Sequence, residues 1–163
     1  MSILVLGLGN TIMTDDGFGG RAVDTLRARF TFPEGVRVED GGTLGLDLLP
    51  MFEGIDQLLI IDALEMDADP GSIFRLEGEE VPRALASKVS VHQMGIQDLL
   101  AVAELQGNLP GELVVWGVQP RTVEMGVELS AEVKPSLERV IEGILKDLQR
   151  WGVTPQDQAE SVT

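Results

Sequence analysis

Three short apolar runs, Ile3-Leu4-Val5-Leu6-Gly7, Leu58-Leu59-Ile60-Ile61 and Leu113 to Val118, are separated by stretches whose apolar residues recur at helical spacing. A strand without polar alternation has both faces covered, the condition of strands inside a parallel sheet packed between helices. Phe18, Ala22, Val23, Leu26 and Phe30 form one helical series, with Arg21, Asp24, Arg27 and Arg29 on its other side. Val133, Leu137, Val140, Ile141, Ile144, Leu145, Leu148 and Trp151 trace a longer one, and Pro135 either kinks this helix or marks its start. Val36-Arg37-Val38-Glu39 alternates as a half-exposed edge strand should, and Asp69-Pro70-Gly71 turns the chain so that Ile73 to Leu76 returns as an antiparallel edge. Thr43 can cap a short helix with Leu46, Leu49 and Phe52 on its buried side, and Ser90 to Gln93 has capping-box spacing before Ile96, Leu99, Leu100 and Ala103. That spacing places His92 in the first turn of a helix. The pattern predicts a single α/β domain: a mainly parallel twisted sheet of about five strands, one of them an antiparallel edge, with helices on both faces.

The 163 residues suit one domain, taken here as 1–153, with residues 154–163 expected to be a polar, disordered tail. The chain carries 27 acidic against 12 basic side chains, a formal charge of −15, which opposes nucleic acid and anionic membrane surfaces as partners. No cysteine is present, so disulfides, thiolate metal sites and a cysteine nucleophile are excluded. The single histidine means that any imidazole chemistry must use His92. The opening apolar run is too short to span a membrane and lacks the basic flank of a signal peptide, so the protein is expected to be cytoplasmic, and a monomer.

In a sheet of this kind ligands collect outside the carboxyl ends of the strands, where the winding reverses. Asp15 and Asp16 follow the first strand, Asp40 ends the second and Asp62 the third, so several carboxylates are expected to meet at one crevice. Gly7-Leu8-Gly9 resembles the start of a dinucleotide fingerprint, but position 12 is Ile and two acids stand where phosphate oxygens would sit. The glycines can equally form a tight loop, and an acidic pair can simply cap a helix. Asp62, directly after four aliphatic residues, either bonds a neighbouring loop or contributes to a site at the mouth of the sheet. His92 alone is weak evidence, yet two carboxylates and one imidazole make an oxygen and nitrogen set suited to nickel, zinc or a similar divalent ion. No buried strand leads into Gly-x-Ser-x-Gly, and the paired Asp-Thr/Ser-Gly segments of an aspartic protease are missing.

Leu6-Gly7-Leu8-Gly9-Asn10 with Thr14-Asp15-Asp16-Gly17-Phe18-Gly19 resembles the opening of the hydrogenase maturation proteases. Asp40-Gly41-Gly42-Thr43, Ile61-Asp62-Ala63, the segment around His92 and Trp116-Gly117-Val118-Gln119-Pro120 resemble that family's later motifs in the same order. The resemblance covers roughly residues 2 to 152. It implies a compact α/β endopeptidase that removes the C-terminal extension of a nickel-loaded NiFe hydrogenase large-subunit precursor. It further implies that nickel comes with the substrate, that no nucleotide is needed, and that the metal contacts fall on Asp16, Asp62 and His92. The first position is commonly Glu in the family, so Asp16 reaches one methylene less far. A carboxylate, with Asp16 the first candidate, is expected to position or deprotonate the attacking water. Asp40, in its glycine-rich setting, is the candidate for an added catalytic or substrate-orienting role. A nucleotide-binding oxidoreductase and a non-catalytic metal-delivery or chaperone module remain as alternatives.

Overall fold

The computed structural model describes residues 2–85 and 95–158. Its elements in chain order are β1 (Ile3–Leu8), a 3-10 turn (Thr14–Gly17), α1 (Phe18–Arg29), β2 (Phe30–Thr31), β3 (Val36–Gly42), a 3-10 helix (Gly45–Phe52), β4 (Gln57–Ala63), β5 (Ile73–Glu77), α2 (Glu80–Leu85), α3 (Ile96–Leu105), β6 (Glu112–Val118), α4 (Lys134–Arg150) and β7 (Gln156–Asp157). The main sheet runs β3-β1-β4-β6-β5, parallel throughout except for β5, which pairs antiparallel with β6 at one edge. Because β3 lies on one side of β1 and β4 on the other, the winding reverses between β1 and β4, and the crevice expected at such a reversal opens at their carboxyl ends.

The alternation within each strand divides the core in two. Ile3, Val5, Leu59, Ile61 and Val114 face α1 and α4, where Phe18, Val23, Leu26, Val140, Ile141, Ile144 and Leu148 are buried. Leu4, Leu6, Leu8, Leu58, Ile60 and Val115 face the 3-10 helix, α2 and α3, against Leu48, Phe52, Val81, Leu99 and Ala103. Both faces of the central strands are therefore dry, which is why their sequences carry no polar alternation. At the β5 edge, Asp147 of α4 is buried and accepts hydrogen bonds from Trp116 Nε1 at 2.8 Å, from Arg75 and from Arg150. The Asp147 carboxylate bonded to Arg75 is the main cause that raises the already high pKa of that guanidinium. On the same face of the sheet, Arg29 of α1 donates to Glu138 of α4.

Several local expectations are revised. Pro135 lies in the first turn of α4 and marks its start. The 3-10 helix begins at Gly45 with no side-chain cap, so Thr43 does not cap it; Leu46 is 44% exposed, and Leu48 takes the buried place beside Leu49 and Phe52. Gly95 is extended immediately before α3, so that helix starts at Ile96 and its first turn does not contain His92. Ser90 to Gln93, His92 included, lie outside the described residues. Where a disordered tail was expected, Gln156 and Asp157 pair antiparallel with Thr31 and Phe30. Helix α2 was not foreseen, because Val81 and Leu85 alone set no period and Pro82 argues against a helix.

Candidate active site

The loop after β1 is shaped by its glycines. Gly9 has φ +119°, and a Cβ there would lie 1.9 Å from the carbonyl oxygen of Asp16. A Cβ on Gly19 would lie 2.3 Å from the Leu8 oxygen and 2.4 Å from the Ile61 oxygen. These glycines let the start of α1 and the Thr14–Gly17 turn press against the ends of β1 and β4. The glycines thus serve close packing of backbone on backbone.

The two adjacent acids of the turn do different work. Asp15 is fully buried and turned toward the loop before α4: its carboxylate accepts the backbone N–H groups of Arg121 (2.9 Å), Thr122 (3.1 Å) and Ser130 (2.8 Å) and the Ser130 hydroxyl (2.8 Å). Thr14, at φ +48°, adds hydrogen bonds from its hydroxyl to the carbonyls of Thr122 and Glu124. Asp16 is 4% exposed, accepts the Asn10 N–H through Oδ2 at 2.9 Å, and lines a cavity.

That cavity, about 690 Å³, lies on the α3 side of the sheet at the carboxyl ends of its strands. Its wall comes from Leu8 at the end of β1 and Asn10, Met13 and Asp16 beyond it, from Gly42 at the end of β3 and residues 43–48 beyond it, from Gly95 and Leu99 at the α3 start, and from Val123. Among the described residues of this wall, Asp16 and Asp47 are the charged ones, with no Lys or Arg. Asp47 escapes a sequence reading because it sits in an irregular 3-10 segment rather than at a strand end.

Asp62 is 2% exposed near the end of β4, on the strand face shared with Leu58 and Ile60, and its Oδ1 accepts the Ala63 N–H at 2.8 Å. It thus points to the same side of the sheet on which the cavity lies. Behind it, Gly117 is shaped to receive Leu64, since a Cβ there would lie 2.4 Å from the leucine. Buried Gln119 fixes the loop that follows β4: its Oε1 accepts the N–H groups of Met66 and Ala68, and its Nε2 donates to Glu65 and to the Pro120 carbonyl. The Trp116 to Pro120 motif therefore has a structural content that its sequence did not disclose.

Asp40 is exposed and belongs to the other face of the sheet, with Val36 and Val38; its Oδ2 stands over Gly20 of α1. It is not among the cavity's lining residues, but its Oδ1 accepts the N–H of Gly42, which is. Among the described residues, no three or more His, Asp or Glu side chains gather as a metal site, and His92 lies outside those residues. Asp16 and Asp62 are thus found on one side of the sheet, whereas Asp15 and Asp40 turn elsewhere. No helix among the described residues is long and apolar enough to cross a membrane.

Residues 21–147 match the family described as hydrogenase maturation protease. The hydrogenase expression/formation protein HoxM of Azotobacter vinelandii is 41% identical over 154 residues, covering 93% of this chain and 74% of that protein. The hydrogenase 2 maturation protease of Escherichia coli (strain K12) is 38% identical over 154 residues, 94% of each chain. Among solved structures, the hydrogenase maturating endopeptidase HybD from E. coli aligns with a TM-score of 0.91 at 36% identity, covering 98% of this chain and 99% of that one. The NiFe hydrogenase maturation protease HybD from Thermococcus kodakarensis aligns at a TM-score of 0.74 and 32% identity, with 90% and 98% covered. A family match over residues 21–147, relatives aligned over more than 90% of this chain and a fold shared at a TM-score of 0.91 lead to one conclusion: the chain belongs to the hydrogenase maturation protease family and is an endopeptidase.

Proposed function

We propose that this endopeptidase acts on the precursor of a NiFe hydrogenase large subunit that already carries nickel, and removes its C-terminal extension. Asp16, Asp62 and His92 hold the substrate's nickel during cleavage; the ion belongs to the precursor, and no nucleotide takes part. The observation that carries the reading is Asp16: a nearly buried carboxylate in the wall of an acidic cavity, at the point where the sheet's winding reverses. An acidic wall favours a divalent cation and opposes a phosphate.

The chemistry is hydrolysis of one peptide bond: water adds to the carbonyl carbon, and the departing amine takes up a proton. Asp16 is fixed by the Asn10 N–H, so a carboxylate stands ready to orient the water or accept its proton. Nickel carried by the precursor polarises the carbonyl and marks the substrate as complete. Asp40 acts at one remove as a positioning residue, holding the Gly42 N–H and so the strand end that enters the cavity wall. The enzyme works in the cytoplasm as a monomer.

Incubation with nickel-loaded and nickel-free precursor, followed by mass spectrometry of the intact large subunit, tests this. A single C-terminal mass loss is expected with the loaded form only. Asp16→Asn, Asp62→Asn and His92→Ala should each slow processing by about 100-fold or more while the variants stay folded. Equal cleavage of both precursor forms, or wild-type rates in these variants, would reject the reading.

A further inference from the structure

Six large apolar side chains are exposed among the described residues, and five of them belong to segments that contribute residues to the wall of the acidic cavity. Leu44 (58% exposed) and Leu46 (44%) are part of its wall. Ile12 (53%), Met125 (81%) and Val127 (63%) are on two loops tied together by Gly126 N–H to the Ile12 carbonyl and Thr14 N–H to the Gly126 carbonyl, both at 2.9 Å. Asn10, Met13 and Val123 of those same loops line the cavity. The sixth, Leu105, is the last residue of α3, roughly two and a half turns from the end of that helix that reaches the cavity. A single exposed leucine is ordinary; five apolar side chains on the segments that wall one concave site mark a surface that another chain covers.

Charge identifies the occupant. Among the described residues the cavity's charged lining is Asp16 and Asp47, Glu124 and Glu128 interleave with Met125 and Val127, and the whole chain carries −15. An acidic surface or an anionic membrane would be repelled, whereas a segment that is apolar and carries positive charge meets both features. A cavity of about 690 Å³ also admits a length of chain rather than a flat surface.

We infer that two apolar lips, Leu44 and Leu46 on the segment after β3 and Ile12, Met125 and Val127 on the two tied loops, grip an extended segment of the precursor whose apolar side chains flank a cationic centre. The grip sets substrate affinity separately from the metal contacts. This rests on the precursor being the substrate, and it adds the surface that recognises the polypeptide itself.

Binding of purified nickel-loaded precursor to immobilised full-length enzyme, with mass spectrometry on the same mixtures, tests the inference. Leu44→Ser with Leu46→Ser, and separately Met125→Ser with Val127→Ser, should each weaken Kd by about tenfold or more, because anchors of this kind dominate interface energy. All four side chains are exposed, so circular dichroism should match wild type, and Leu105→Ser should leave Kd unchanged. Wild-type Kd in both paired variants overturns the inference, as does equal weakening by Leu105→Ser or a wild-type enzyme that does not bind precursor. A wild-type dimer that the paired substitutions dissociate would give the lips to a second copy and overturn it too. If the precursor binds through the lips but loses no mass, the grip stands and the proposed cleavage fails.

Discussion

Asp15→Asn separates the two acids of the Thr14–Gly17 turn most sharply, because it changes one atom of a carboxylate whose partners are all donors. Oδ2 accepts from Arg121 N–H, Thr122 N–H and the Ser130 hydroxyl, and Oδ1 accepts from Ser130 N–H. Whichever way the amide turns, its NH₂ faces at least one backbone N–H, replacing attraction by repulsion in a site with no exposure. The best orientation keeps the oxygen at the threefold position and orphans the Ser130 N–H, costing about 1–3 kcal/mol for the unmet donor, with some further loss from the three bonds that are no longer charge-assisted. A total of about 2–4 kcal/mol is therefore expected. With a urea m-value of about 2 kcal/mol/M, the unfolding midpoint should fall by roughly 1–2 M. Asp16→Asn, by contrast, retains an amide oxygen for the Asn10 N–H, and its midpoint should fall by less. The comparison is urea unfolding followed by circular dichroism on wild type and both variants. If Asp15→Asn unfolds within about 0.3 M of wild type, the view of Asp15 as the anchor of residues 121–130 is wrong.

Gly19→Ala should leave little folded protein on expression, since the added methyl would need backbone oxygens of Leu8 and Ile61 to retreat by about 1 Å, a larger strain than ordinary overpacking. Trp116→Phe removes one donor from Asp147 but leaves Arg75 and Arg150, so thermal unfolding should show a loss of about 1 kcal/mol and unchanged processing. The hydrogen bond from Arg29 lowers the pKa of Glu138, so its stabilisation is present above the ordinary glutamate range and lost as pH falls through the lowered folded value. Because both side chains are about half exposed, Glu138→Gln should cost less than about 1 kcal/mol at pH 7, and the difference from wild type should vanish in acid.

The sheet was legible because burial on both faces writes itself as unbroken aliphatic runs: Leu58 to Ile61 could hardly be anything but a central strand, and it is fully buried. The α4 stripe and the antiparallel return of β5 were equally direct. Irregular backbone was less so. Leu46 fits a helical face on paper but lies at the cavity mouth, because a 3-10 segment containing Pro50 does not carry an α-helical period. Position along the chain also could not tell Asp15 from Asp16, since one residue of a tight turn reverses direction and sends one carboxylate to residues 121–130 and the other to the cavity. Asp40 shows the same limit in a strand: expected at the end of β3, it lies two residues before that end at Gly42, and the pleat turns it to the α1 face. The order of motifs carried the family identification, and it did so without revealing that Gln119 anchors the loop beyond Asp62.

The braces on the Thr14–Gly17 turn join residues 106 to 115 positions apart. Asp16, Asp62 and His92 have all left the ribosome well before Ser130, but until Ser130 follows, Asp15 lacks two of its four donors. Contacts that span most of a polypeptide form late. A partly synthesised chain therefore holds its proposed ligands without the bracing that sets one of them, which makes hydrolytic competence a property acquired near the end of synthesis and guards against premature cutting by an unfinished enzyme.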